Sequence, residues 1–295
     1  MDGILNINKP LGKTSFSIVS LVKRLSGESR VGHAGTLDPA ASGVLPICLG
    51  QGTRVVEFLL DAPKAYRAEI EFGVVTDTDD ATGKIISRGD PSGIGREQLL
   101  SALDSFCGLI SQTPPMYSAV KHRGKPLYKL ARLGIEVERK SRLRWIYQLE
   151  LTSWQPPLAT IEVECGRGTY IRSLARDLGQ KLGCGASLKS LVRLRCGLFN
   201  IRDAVSLSQL EDAFRYGYWQ KLIYPIDFVL LHWAAVVVDN TGEEDIRNGR
   251  PLVLAGGDSS GDRCRAYTRD GLFLGVLRFN SETGQWQPEK VFPSS

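Results

Sequence analysis

Residues 32–46 read Gly-His-Ala-Gly-Thr-Leu-Asp-Pro-Ala-Ala-Ser-Gly-Val-Leu-Pro. Asp38 is the only carboxylate between Glu28 and Glu57. It lies among small residues, which let a large planar ligand approach the backbone, and Pro39 fixes the chain beside it. On local physics alone an Asp-Pro turn fits slightly better than an active-site loop. Residues 30–53 hold seven glycines or prolines: Gly32, Gly35, Pro39, Gly43, Pro46, Gly50 and Gly52. The stretch therefore reads as a long, tightly turned loop with few secondary-structure signals, the kind of segment that often holds a site.

On the N-terminal side, Ile4 to Asn8 is a short apolar-alternating run that Pro10 should stop as a strand. Ser15 can cap a helix carrying Ile18, Leu21, Val22 and Leu25, with Gly27 as its stop. On the C-terminal side, Ala68, Ile70, Phe72 and Val74 alternate with polar residues or glycine as a half-buried strand. Residues 96–107 suit an amphipathic helix. Ile161, Val163 and Cys165 form another alternating strand, after which Thr169 can cap a helix bearing Ile171, Leu174, Ala175, Leu178 and Leu182. Ser206 with Gln209 fits a capping box opening a helix to about Phe214. From about residue 234, short β-type runs (Ala235–Val238, Leu252–Leu254, Cys264–Tyr267, Gly271–Phe279) alternate with Gly/Asp turns, as in a separate β module. The class is α+β.

The chain has 295 residues, 42% hydrophobic and 23% charged, which is enough to bury a core and argues against disorder. No apolar run approaches the ~20 residues of a membrane span, and Met1 to Lys9 lacks the layout of a signal peptide. A soluble, cytoplasmic protein is expected. The net charge of +5 is unevenly spread. Residues 119–202 hold 17 basic and 6 acidic side chains, whereas residues 57–118 hold 5 and 10. Such a concentration points to a polyanion, with nucleic acid first and a solvated basic face as the bland alternative. The six cysteines contain no C-x-x-C pair, and with only three histidines there is no zinc-site spacing. No metal is expected.

Three short patterns fail on inspection. Gly12-Lys13-Thr14 ends like a P-loop, but Ile7 stands where its first glycine should be. Gly166-Arg167-Gly168 and Gly50-Gln51-Gly52 begin a dinucleotide fingerprint that breaks at Ile171 and Val55. Asp77-Thr78-Asp79-Asp80 resembles a calcium-loop start without the later ligands, and reads as a solvated acidic turn.

Five blocks, in order, carry a further signal. They are Ile7–Ser15; the segment around Asp38; Lys64-Ala65-Tyr66-Arg67; Gln112–Lys121 with Gly124, Leu127-Tyr128 and Ala131-Arg132; and Gly168–Gly179. Leu188 to Phe199 adds a Leu-x-x-Leu-x-Arg…Gly-x-Phe pattern. Over roughly residues 3–215 the chain resembles the TruB family of tRNA pseudouridine-55 synthases, and the tail resembles a PUA domain more weakly. The resemblance implies a mixed, mainly antiparallel central sheet of the pseudouridine synthase type with flanking helices and loops, plus a small C-terminal β-barrel-like PUA domain. It places a catalytic domain at 1–230, with a basic thumb at about 112–144, and an RNA-binding domain at 234–295.

The implied activity isomerises uridine 55 in the T loop of tRNA to pseudouridine. No atoms are gained or lost, so no cofactor is expected, nucleotide cofactors included. By resemblance Asp38 is the nucleophile, and attack on C6 of uracil or on C1′ of ribose both remain open. The target base must leave its stack. His33 is implied to fill the vacated loop, Tyr66 to stack on the base, and Tyr170 and Leu191 to line the pocket. An arginine at 172 near Asp38 would keep the carboxylate ionised. Lys121, Arg123, Lys125 and Arg142 would grip the RNA backbone. The expected partner is tRNA, through its T arm and acceptor region, bound by a monomer with no membrane attachment. The alternative is a tRNA-binding or tRNA-folding protein whose main role is non-catalytic. A guide-RNA-dependent relative fits less well, because the thumb is present.

Overall fold

The computed structural model describes residues 1–254 and 261–293. In chain order, β1 (Gly3–Lys9) leads into helix α1 (Ser15–Ser26), then β2 (Val31–His33), β3 (Ala41–Leu49), α2 (Val56–Asp61) and β4 (Lys64–Phe72). A hairpin of β5 (Val74–Thr76) and β6 (Ile85–Arg88) precedes α3 (Arg96–Asp104) and β7 (Gly108–Gln112). A second hairpin, β8 (Lys121–His122) with β9 (Lys125–Pro126), runs into α4 (Leu127–Ala131). There follow β10 (Arg142–Gln155), β11 (Leu158–Cys165), α5 (Ile171–Lys181), β12 (Ala186–Cys196), β13 (Phe199–Asn200), α6 (Leu207–Arg215) and β14 (Ile223–Tyr224). The tail contains β15 (Ala234–Val237), α7 (Asn240–Arg247), β16 (Arg263–Tyr267), β17 (Phe273–Asn280) and β18 (Gln285–Val291).

One large sheet runs β14-β1-β3-β12-β4-β11-β10-β7 and is antiparallel except where β12 meets β3. That parallel seam is short, with Leu191, Val192 and Arg193 facing Ala41, Ser42 and Gly43. Gly43 has φ +103°, and a Cβ there would run into the backbone of Arg193, so the close approach of the two strands requires glycine. On one side of the seam, Ile18, Val19 and Val22 of α1 pack with Leu5, Ile7, Leu45 and Ile47. On the other, Ile171, Leu174, Ala175 and Leu178 of α5 pack with Ala68, Ile70, Ile161 and Val163. Alternation in β4 and β11 and helical spacing in α5 produce these faces.

The tail forms a four-stranded sheet, β15-β16-β17-β18. Among the described residues its two outer strands share no ladder, so the sheet stays open. It leans on the main body: Val276 and Phe292 share a core with Val55 and Leu59, and the Tyr267 hydroxyl donates to Asp227 at 2.6 Å.

Several local expectations change. The region 30–53 is not mainly loop, because Ala41–Leu49 is a buried strand at the centre of the sheet. Its two buried faces erase the alternation that marks a half-exposed strand, and Gly43 and Pro46 mask it further. Thr14, not Ser15, caps α1, accepting from the Ser17 amide at 3.0 Å. Thr169 does not cap α5; its hydroxyl donates to the Gly166 carbonyl at 3.0 Å, and Tyr170 occupies the cap position. The capping box at Ser206 and Gln209 forms as read. β18 and α7 gave no clear sequence signal.

Candidate active site

Asp38 lies between β2 and β3 in a loop fastened from several directions. Ser15, one residue inside α1, donates its hydroxyl to the Leu37 carbonyl at 3.1 Å and accepts from the Leu37 amide at 2.9 Å. On the other side of Asp38, the Pro39 carbonyl accepts from the Gly12 amide at 2.8 Å. The block Ile7–Ser15 thus forms the frame of the Asp38 loop.

Beneath the loop, Arg193 is fully buried. Its Nε donates to the Val44 carbonyl at 2.6 Å and its Nη2 to the Gly35 carbonyl at 3.1 Å. Lys9 is also buried, and its ammonium donates to the carbonyls of Pro10 and Lys13 at 2.9 and 2.7 Å. Burial pulls its pKa down to about 8, with Arg193 adding to the drop and the Asp38 carboxylate opposing it.

The second half of the site comes from beyond the seam. Arg172, in the first turn of α5, reaches Asp38 at 2.9 Å. Only 7% of the Arg172 side chain is exposed, against 44% for Asp38. The same guanidinium donates to the Tyr117 carbonyl at 2.8 Å and the Thr78 carbonyl at 3.3 Å, and lies 3.6 Å from Asp80. Asp80 is held in turn by the Thr78 hydroxyl at 2.8 Å and by the Thr82 amide and hydroxyl at 3.0 and 2.5 Å. Asp79, at φ +61°, pairs with Arg176 at 2.9 Å. The run Asp77–Asp80 is therefore not a solvated acidic turn. Two of its carboxylates turn inward to bind the arginines of α5.

Asp38, Arg172, Asp80, Leu188 and Leu191 line one pocket with Ala40, Ala41 and Ala81. Burial raises the Asp38 pKa above its ordinary value. Arg172 opposes that shift, Asp80 adds to it, and Lys9 opposes it. Arg172 thus acts in the expected direction, but desolvation outweighs it.

Tyr66 stands between Val163 and Arg193 in the sheet and packs against both cores, as does Leu191. Burial pushes its phenol up to about 12. Tyr170 precedes α5, and Gln112 clasps its backbone, donating to its carbonyl at 2.9 Å and accepting from its amide at 2.8 Å. His33 ends β2, half-buried, with no partner for its Nδ1. Burial, and then the positive charge of Arg193, lower its pKa.

The remaining basic residues are spread along the thumb. Lys121, Arg123 and Lys125 share the β8–β9 hairpin, where Arg123 turns at φ +47°. Arg142 opens β10, away from the hairpin in sequence. Among the described residues no group of three or more His, Cys, Asp or Glu side chains is arranged to hold a metal, and no helix is long and apolar enough to cross a membrane.

Nothing in the sequence marks Ser15, Asp80, Gln112 or Arg193 as site residues. For Ser15 and Asp80 the available signal was their place in a matching block or in the acidic run; neither spacing predicted what they touch.

Comparison with known proteins fits this arrangement. Residues 23–171 match the family described as TruB family pseudouridylate synthase (N terminal domain), and residues 172–230 match the tRNA pseudouridylate synthase B C-terminal domain. A protein named tRNA pseudouridine synthase B from Dehalococcoides mccartyi is 46% identical, over 99% of this chain and 97% of that one. A protein of the same name from Geobacter sulfurreducens is 40% identical, over 98% and 96%. Among solved structures, a chain in a Cbf5-Nop10-Gar1 complex superposes with a TM-score of 0.78 at 28% identity, covering 99% of this chain and 85% of that one.

Proposed function

The chain belongs to the TruB family of pseudouridylate synthases, and from that premise we propose that it isomerises uridine 55 in the T loop of tRNA, with Asp38 as nucleophile. The observation that carries the reading is the 2.9 Å pair between Asp38 and the buried Arg172 at the wall of a pocket. A carboxylate fixed in this way, yet partly open to the pocket, can attack an electrophilic carbon and leave again. In the overall reaction the bond from C1′ to N1 breaks and a bond from C1′ to C5 forms. The C5 proton is lost and N1 gains one.

Tyr66 and Leu191 offer flat and apolar surfaces to the extruded base, and Tyr170 contacts it or receives the C5 proton. His33 fills the space the base leaves in the RNA loop. Lys121, Arg123, Lys125 and Arg142 hold phosphates of the T arm. The tail at 234–295 is a PUA-like domain facing the acceptor region through a local patch around Arg247 and Arg250. The enzyme works as a cytoplasmic monomer on tRNA.

The test is release of tritium from tRNA carrying C5-labelled uridine, with the modified position mapped by primer extension after carbodiimide treatment. Stoichiometric release mapped to position 55 is expected for the wild type, and none for Asp38→Asn. Full activity in the Asn variant overturns the nucleophile assignment.

A further inference from the structure

Arg142 and Arg144 lie two residues apart on β10, opposite Gln112 and Ile110 of β7. They therefore share one face of the sheet, the face on which Gln112 clasps Tyr170. Arg144 leans over the turn before α5. Its Nε donates to the Gly168 carbonyl at 2.9 Å, and its Nη1 donates to the Leu143 carbonyl at 2.8 Å. A Cβ on Gly168 would sit 3.2 Å from both Nε and Nη2 of this guanidinium. Gly168, at φ +75°, thus admits the arginine as well as the turn.

Neither arginine forms an ion pair among the described residues. Arg167, in the same turn, has Asp61 at 2.8 Å, but both of those side chains are 63% exposed, and such a pair is weak and readily exchanged. Three arginines thus surround the Gly168 turn, Arg144 bonded to it, Arg167 within it and Arg142 on the same sheet face as Arg144, without a buried counter-charge. Their mutual repulsion is felt at Arg144, whose pKa is lowered by burial, by Arg142 and by Arg167, while Tyr170 opposes the drop. A group of cations kept together against repulsion suits a ligand that supplies the missing negative charge. Guanidinium forks match phosphate oxygens in geometry.

We infer that Arg144 and Arg167, together with Arg142, form a binding site for a backbone phosphate of the RNA next to the flipped uridine, at the Gly168 turn that leads into α5. The inference rests on the RNA-modifying reading and adds to it a site distinct from the thumb hairpin. The bland alternative is that Arg144 serves only to staple the Gly168 turn.

Salt dependence separates the two. Each phosphate contact contributes roughly 0.7 to 0.9 to the slope of log affinity against log salt. Binding of unmodified tRNA transcript is measured across a salt series for wild type, Arg144→Gln, Arg167→Gln and Arg215→Gln, with thermal unfolding of each protein as a folding check. Glutamine at 144 can still donate to Gly168 but carries no charge. The expected result is a slope shallower by about 0.7 to 0.9 for Arg144→Gln, a smaller change for Arg167→Gln, and none for Arg215→Gln on α6. An unchanged slope in a folded Arg144→Gln protein, even with reduced turnover, makes Arg144 a staple and overturns the site. Wild-type protein that fails to bind tRNA overturns the site and the RNA reading together.

Discussion

Ser15 and Leu37 are joined twice: the Ser15 hydroxyl accepts from the Leu37 amide at 2.9 Å and donates to the Leu37 carbonyl at 3.1 Å. One side chain satisfies both polar groups of the residue before Asp38. Both partners are buried. Ser15→Ala should therefore leave a buried N–H and C=O unpaired, at a cost of about 1–3 kcal/mol. The urea midpoint should fall by the corresponding amount, and turnover should fall with it. A midpoint equal to wild type contradicts the clasp.

Asp38→Asn should abolish tritium release without weakening the fold at neutral pH. The carboxyl pKa is raised above its ordinary 3.8 by burial first. Between that value and the folded-state value the native protein binds the proton that the unfolded chain has released, so stability falls as pH rises through this window. The ionised form persists at higher pH as a standing cost. The Asn variant lacks it, and its melting temperature relative to wild type should increase from pH 4 to pH 7. Activity of the wild type should decline on acidification through the raised pKa, where Asp38 becomes protonated.

Arg172 is both an electrostatic and a structural tie. It joins Asp38 to the carbonyls of Tyr117 and Thr78 and lies within 3.6 Å of Asp80. Its removal should harm catalysis through the Asp38 pair. Its burial indicates that folding suffers too. Lysine cannot reproduce the planar fork. Arg172→Lys should lower activity at least a hundredfold and cost roughly 2–4 kcal/mol of stability in chemical denaturation. Wild-type stability in that variant would show that the carbonyl contacts are dispensable.

Lys9 carries the opposite pH signature to Asp38. Its folded-state pKa of about 8 lies below its ordinary value of 10.5. Between these values the unfolded chain holds the extra proton, so this residue's contribution to stability rises with pH across the window. Lys9→Met should erase that rise, which pH-dependent denaturation of the two proteins would reveal. Parallel curves from pH 8 to 10.5 would sink the assignment.

Charge reversal should matter most on one face. Arg123→Glu, Lys125→Glu or Arg142→Glu should weaken tRNA binding roughly threefold to tenfold at moderate salt and flatten its salt dependence. Arg263→Glu and Arg269→Glu in the tail should matter less. Arg263 already pairs with Glu289 at 2.6 Å. The opposite ranking, read by filter binding, would move the RNA to the other surface.

The parts of the site that were legible in sequence are those that chemistry confines to short blocks. Asp38 and Arg172, which meet at one pocket, each stand in a recognisable run, and alternation in β4 and β11 located the sheet that holds Tyr66. What stayed hidden depends on contacts over long stretches of chain. Ser15 meets Leu37 across 22 residues, Arg172 reaches the Thr78 carbonyl across 94, and Arg193 meets Gly35 across 158. No local periodicity encodes such encounters. β3 was lost for a related reason, since a strand buried on both faces has no polar side to mark it. Asp80 stays hidden because four adjacent polar residues look solvated until an arginine from a distant helix is placed beside them.

The seam between β3 and β12 has one more consequence. Asp38 belongs to the half of the sheet bearing β1 and β3, whereas Tyr66 and Arg172 belong to the half bearing β4 and α5. In the sheet the halves are bridged by β12, through a three-residue parallel register on the β3 side. The meeting of Asp38 with Arg172 therefore depends on the alignment of the two halves of one sheet. A slip at Gly43, where a Cβ would meet the backbone of Arg193, would move Asp38 away from Arg172 and loosen the buried seam at the same time. A chain divided at the seam would regain activity only when both fragments dock in register.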